Sequence, residues 1–332
     1  MPLKTFKTMR AGLEATRGTG VAMTRGIEFT TGQHDQVIDT IYPEELRNSY
    51  EAHYTATAGA ETNTFDIEAP VDFDIMPWWG NLHMKAIASG TGAGADKTWT
   101  FLPTLTSDDQ KSATVQFGYT DTISATQPAV SLAYVIGDAL TLSWEKAPGS
   151  AGVMLKSHLV SPKAATQLSA FSGTGTYTTS ELAKAQTTVV TIDPTTIGTT
   201  ADNDVISAEW TYTSGYQYLY TLNNTTAAQD VFRPNPLDWT LKLVRYYRND
   251  NEWDRYVDKV KRKIRIKTTG SVIPTTAVPY SVQLDCYGVL SERTTSESDG
   301  LGFEELTYKP LYDTTLVGST QFVVVCATAT IT

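Results

Sequence analysis

Cysteine, histidine and long apolar runs are all scarce here. Two cysteines and four histidines occur in 332 residues, and no stretch approaches the ~20 apolar residues that span a bilayer. Cys286 and Cys326 are too few for a disulfide framework. Each sits in an apolar, strand-like run, where free cysteine behaves as a small hydrophobe. A reduced folding environment is expected. His34, His53, His83 and His158 are isolated, with no His-x-x-x-His or Cys-x-x-Cys pair to converge on a metal. A Gly-x-Ser-x-Gly nucleophile elbow is missing as well. Charged residues make up only 19% of the chain and sum to a net charge of -10. That balance excludes a general nucleic-acid binder, which needs clustered Lys and Arg to neutralise phosphates. The first ten residues carry positive charge with no apolar run behind them, so no secretory signal is expected.

What is present is β-branched and aromatic. Thr, Ser, Val and Tyr recur in short alternating runs separated by Gly, Pro, Asn and Asp, which predicts a mainly β chain. The clearest exception lies in residues 239–270, which read as strand, amphipathic helix, strand. Trp239, Leu241 and Leu243 alternate as a half-buried strand does. Trp253, Tyr256, Val257 and Val260 recur at i, i+3, i+4, i+7, one face of a helix spanning about residues 250–261. Asn249 or Asp250 can cap it, with Glu252 and Asp254 in its first turn. Positive charge is concentrated from Lys242 to Lys267, and pairing with acidic neighbours or solvent accounts for it better than nucleic acid does.

Residues 1–36 are rich in Gly, Thr and Arg and read as a flexible amino-terminal arm. Residues 50–69 read as a long hairpin, with Gly59, Ala60 and Glu61 at its tip. Trp78 and Trp79 suggest a core anchor or short helix, with a subunit interface as the sharper alternative. Further strands are expected at residues 98–102, 112–119, 130–135, 139–145, 187–192, 205–212, 217–222, 280–288, 303–311 and 320–328. The last reads as buried on both faces. Residues 155–170 and 181–186 are weaker helix candidates, and residues 292–299 read as loop. No repeat and no Pro- or Ser-rich linker divides the chain, so residues 1–332 are expected to form one domain.

The remaining candidates for chemistry have plainer readings. Residues 89–95 are glycine-dense but lack the spacing of a nucleotide-binding loop. Asp202, Asn203 and Asp204 resemble part of a calcium loop without its glycine or distant glutamate. Asp72 and Asp74 could pair for glycoside hydrolysis, but alternate carboxylates on one strand explain them equally well. Tyr212, Tyr216, Tyr218 and Tyr220 could stack on sugars, or pack across strands. The sequence nominates no catalytic, cofactor-binding or metal-ligating residue.

Several segments, in order, resemble the major tail, or tail tube, proteins of long-tailed (siphovirus-type) bacteriophages. They are Gly12-Leu-Glu-Ala-Thr-Arg-Gly-Thr, Ile136-Gly-Asp-Ala-Leu-Thr-Leu-Ser-Trp and Val205-Ile-Ser-Ala-Glu-Trp-Thr-Tyr. The block 239–270 follows, then residues 280–288, and Tyr308-Lys-Pro-Leu-Tyr before a closing Val-rich strand. An appended carboxyl-terminal immunoglobulin-like domain, carried by some relatives, is not recognisable. The resemblance implies a β-sandwich or barrel-like fold whose copies form hexameric rings, each giving strands to a shared inner β-barrel. Stacked rings would form the tail through which double-stranded DNA passes, with a tape measure protein in the lumen during assembly. Tail terminator and distal tail or baseplate proteins would be further partners. The virion is the implied location, after assembly in the bacterial host cytoplasm. On that reading Leu13, Glu14, Arg17, Arg25, Gly59, Ala60 and Glu61 are the expected inter-ring contacts, and the lumen is expected to be lined mainly by Asp and Glu. The alternative is a carbohydrate-binding tail fibre or baseplate module.

Overall fold

A computed structural model describes residues 7–42, 53, 55–85, 87, 89–103, 110–119, 129–146, 152–173, 175–177, 181–222, 225–248, 251–298, 300–314 and 318–331. The chain is mainly β. Its strands are β1 (Lys7–Leu13), β2 (Arg25–Ile27), β3 (Thr31–Ile41), β4 (Thr57–Pro70), β5 (Lys97–Phe101), β6 (Ala113–Tyr119), β7 (Ala129–Glu145), β8 (Val153–Ser161) and β9 (Thr166–Leu168). They continue with β10 (Thr188–Asp193), β11 (Val205–Thr213), β12 (Gln217–Leu219), β13 (Asp230–Phe232), β14 (Asp238–Tyr246), β15 (Lys261–Val272), β16 (Pro279–Ser298), β17 (Leu301–Pro310) and β18 (Thr320–Cys326). Two helices are present among the described residues, α1 (Met76–His83) and α2 (Asn251–Val257). Neither is long and apolar enough to cross a membrane.

The central sheet runs β3-β4-β8-β7-β11-β14-β17-β16, antiparallel throughout. Strict alternation drives it. Phe65 and Ile67, Leu140 and Leu142, Trp210 and Tyr212, and Leu241 and Leu243 all face inward and are buried. The residues between them face water, as a strand period of two requires. At β16 the sheet forks. β15 and then β10 follow one edge, while β17 and β18 share the other, with β5 beyond β18. No closed barrel forms within the described residues.

β7 is a single strand of 17 residues. Its second half belongs to the central sheet, and its first half pairs with β6 and β9. The change of layer falls near Tyr134, whose φ is +57°. β6, β1 and β2 then fold back over β4, bringing the Phe117 ring to 5.9 Å from Phe65 and 5.8 Å from Phe29. Every residue of α1 is buried, and the helix fills the space beside β7, β5 and β18. Trp78 and Trp79 meet edge to face at 4.7 Å. They anchor the core of this chain and are not at a subunit interface. Gly80 is required there, because a Cβ would lie 2.6 Å from the Phe101 ring.

Several expectations need correction. From Lys7 onward the predicted arm belongs to the fold, since β1 lies between β6 and β2 with Met9 and Ala11 buried; residues 1–6 fall outside the described residues. The long hairpin pairs β3 with β4, so Gly59, Ala60 and Glu61 lie within a strand instead of at a tip. Residues 155–170 form β8 and β9, and 181–186 end in a 3-10 turn, Ala185–Thr187. β16 continues as strand to Ser298, and β18 alternates buried with half-buried residues. α2 is shorter than expected, and of its predicted apolar stripe only Tyr256 packs against the core. Trp253 and Val257 are exposed and Glu252 is buried, because the helix is held by charge.

Candidate interaction surfaces

The outer face of the central sheet is a wide polar surface. One row crosses six strands as Thr31, Glu68, Lys156, Thr141, Thr211 and Thr240, each paired in register with the next. Its charges are interlaced. Lys156 lies 3.7 Å from Glu68, Lys242 3.4 Å from Glu305, and Lys309 3.1 Å from Asp238. Further along, Arg265 makes a two-pronged contact with Asp285 at 2.7 and 2.8 Å. A shallow hollow of about 250 Å³ opens on this face beside Asp66, Lys156 and His158. His158 Nδ1 sits 2.7 Å from Asp66 Oδ1, the orienting half of a catalytic triad. The adjacent Ser157 instead points into the core and meets His83 Nε2 at 2.9 Å. The pair is therefore a cross-strand surface contact.

The two ends of this sheet both project. β4, β7 and β14 run in one direction, so the start of β4 and the end of β14 lie at opposite ends. At the hairpin end, β3 from Gln36 to Ile41 is exposed on both faces. Val37 is 55%, Ile38 44%, Ile41 55% and Tyr42 57% exposed. At the helix end, β16 from Thr294 to Ser298 is likewise exposed on both faces, and α2 presents Trp253 at 52% and Val257 at 57%. Beneath α2 lies a charged hub. Arg245 reaches Glu304 at 2.6 Å, Asp202 at 2.8 Å and Glu252 at 3.5 Å, and Arg293 reaches Glu304 at 2.9 Å. Burial lowers the Arg245 pKa, but Glu304, Glu252 and Asp202 outweigh it and hold the guanidinium charged.

The expected contact residues are mostly internal. Glu14 is 2% exposed and accepts from Gly18 N (2.8 Å), Ser112 Oγ (2.6 Å), Thr114 Oγ1 (2.8 Å) and Tyr134 N (2.9 Å). It closes the turn after β1. Arg17 donates to Gln110 O at 2.8 Å, and Leu13 packs against the core. Arg25 approaches Asp74 O at 3.4 Å, its pKa lowered by burial against the opposing pull of Asp74 and Asp72. Gly59 and Ala60 are half-buried in β4. Glu61 is 4% exposed and accepts from Gln36, Asn63, Ala165 N and Thr226. Neither Glu14 nor Glu61 can serve as a free surface contact. No known protein family matches this chain, and no curated protein is similar to it.

The other sequence candidates resolve into braces. Asp74 Oδ1 accepts from Ala327 N and Thr328 N at 2.9 and 3.1 Å, tying down the chain after β18. Asp202 and Asp204 hold Arg245 and Arg248. Tyr212 and Tyr216 are buried, while Tyr218 and Tyr220 donate to Asn63 O and Glu61 O, each at 2.9 Å. Among the described residues no three of His, Cys, Asp and Glu gather to hold a metal. Burial pushes the Cys326 thiol up to about 12 and the Cys286 thiol up as well, so both stay protonated. Sequence reasoning missed the exposed apolar group on β3. Its signal was the β-branched run Val37-Ile38-Asp39-Thr40-Ile41, hidden beside a glycine-rich stretch.

Proposed function

We propose that this chain is a structural subunit, a major tail tube protein of the long-tailed bacteriophage class, which assembles into stacked, hexameric rings around a bore that conducts double-stranded DNA. One observation carries the reading: a broad antiparallel sheet has one face sealed by core and the other wet and charge-paired, and its edge strand β3 has one partner among the described residues. In a ring, a neighbouring copy supplies the missing partner, which removes the liability of an open edge. The wet face then lines the bore. Lys156, Lys242 and Lys309 each lie beside an exposed carboxylate, so a passing phosphate backbone meets little uncompensated positive charge. This revises the expected wall of Asp and Glu to one of mixed, locally neutral charge.

The order of the segments resembling tail tube proteins supports the same reading. A tape measure protein in the bore, terminator and baseplate proteins at the tube ends, and a place in the virion belong to this proposal. The carbohydrate-binding alternative has weaker support, because Tyr212 and Tyr216 are buried and Tyr218 and Tyr220 are tied to β4, with only Tyr220 (41%) well exposed among the four. Negative-stain microscopy and sedimentation of the purified chain test the proposal. Rings or tubes with a central bore, increasing with concentration, are expected. A single compact species at every concentration would end it.

A further inference from the structure

The charged hub beneath α2 does not balance. Arg245, Arg255, Arg262 and Arg293 bring four guanidiniums to it, against three carboxylates that are already engaged. Glu252 holds Arg245 and Arg255, Glu304 holds Arg245 and Arg293, and Asp202 holds Arg245. Arg262 is left over. It lies on β15 opposite Gly288 and is only 9% exposed. Among the described residues its buried Nε has no hydrogen-bond partner and no carboxylate pairs with it. Burial and the neighbouring Arg255 push its pKa below the ordinary 12.5, against a weaker pull from Glu252. Other carboxylates nearby are committed or turned away. Asp193 accepts from Thr199 and Thr200, Asp204 pairs with Arg248, and Asp254 and Asp258 are exposed to solvent.

A second orphaned donor shares this place. Tyr308 on β17 is fully buried, and its hydroxyl has no partner among the described residues. Burial and Glu252 push its pKa up while Arg245, Arg255 and Arg262 pull it down, so the hydroxyl lies within electrostatic reach of those cations. Arg262 and Tyr308 stand on the two strands that flank β16. A buried cation without a counter-charge and a buried hydroxyl without an acceptor each cost stability, and one anion would relieve both.

We propose that a single chloride ion binds between Arg262 and Tyr308, accepting from Arg262 Nε and the Tyr308 hydroxyl and bringing the hub to charge balance. A monatomic anion suits two donors sealed from solvent, whereas phosphate carries more acceptor oxygens than two donors can satisfy. Bound there, the ion offsets the repulsion between Arg255 and Arg262 and joins α2 to β15 and β17. The site belongs to one chain and does not depend on how copies assemble.

Halide exchange at constant ionic strength tests the site. The purified chain is melted in sodium gluconate, with chloride or bromide replacing gluconate stepwise so that screening stays fixed. The melting temperature should climb with the logarithm of halide concentration, as binding to the folded state alone requires. The chlorine NMR line supplies a readout independent of stability: the folded chain should broaden it, and bromide should narrow it again by displacement. Arg262→Met should abolish the broadening and the halide dependence, and in gluconate it should melt no lower than the unaltered chain, since the unpaired charge is gone. Tyr308→Phe keeps the charge and should need on the order of tenfold more chloride for the same shift. If Arg262→Met does not fold, Tyr308→Phe and the displacement by bromide decide the matter. No broadening by the unaltered chain, an equal halide dependence in the variants, or stabilisation by phosphate and not by halide would each overturn the site, and none of these outcomes touches the tube proposal.

Discussion

Glu61 joins four segments through one carboxylate. Gln36 on β3, Asn63 on β4, Ala165 N after β8 and Thr226 Oγ1 donate to it at 2.9, 2.8, 3.0 and 3.3 Å. Burial alone would raise its pKa, but these donors outweigh it and hold the group below its ordinary 4.5. The stabilisation is therefore complete above pH 4.5 and is lost as pH falls through the lower folded value. Glu61→Gln should cost about 1–3 kcal/mol at neutral pH, read from the urea midpoint. His83 is the opposite kind of buried group. Its Nε2 meets Ser157 and burial lowers its pKa to about 3, so the ring stays neutral when folded. The unfolded chain takes up a proton below its ordinary 6.5, and stability should fall from there toward pH 3, by up to about 1.4 kcal/mol per pH unit. Unfolding free energies at pH 7.5 and 5.5 check this, and His83→Gln should flatten most of the slope. His34, also depressed by burial, accounts for part of the remainder.

Individual elements show what the sequence could and could not reveal. α1 is buried throughout, and Trp78→Ala should cost about 3–5 kcal/mol because the other core residues cannot close the space. α2 is anchored by charge instead. Replacing Arg245 with Met leaves the buried Glu304 with Arg293 as its one remaining cation and takes from Asp202 its ion-pair partner, a loss of up to about 3–5 kcal/mol. Faster proteolytic cleavage around α2 is the readout. The alternation of Trp239, Leu241 and Leu243 was legible because a strand with one buried face writes its period directly. The apolar stripe of α2 was legible too, but its direction was not. Which face turns inward depended on Asp202, some fifty residues upstream, and on Glu304, some fifty downstream. The same blindness made an arm of β1. Lys7–Leu13 has few large apolar groups of its own, and what fixes it is β6, a hundred residues away. Glu14 and Glu61 stood out as charged residues near glycines, and nothing local marked them as buried acceptors.

At the scale of the whole molecule, the exposed ion pairs and the buried core predict different responses to salt. Screening shortens to about 3 Å at 1 M, which weakens contacts between exposed charges but not burial of apolar surface. The folded subunit should respond little to that screening, since its core is apolar and its hub is shielded from water. Its integrity depends more on β7, which among the described residues is the one strand threaded through both layers. A subunit built on such a shared member has no fuse: neither layer can come loose to spare the other. Stress on the β6-β1-β2 layer is carried straight to the central sheet, so a single scission near Tyr134 would release both at once.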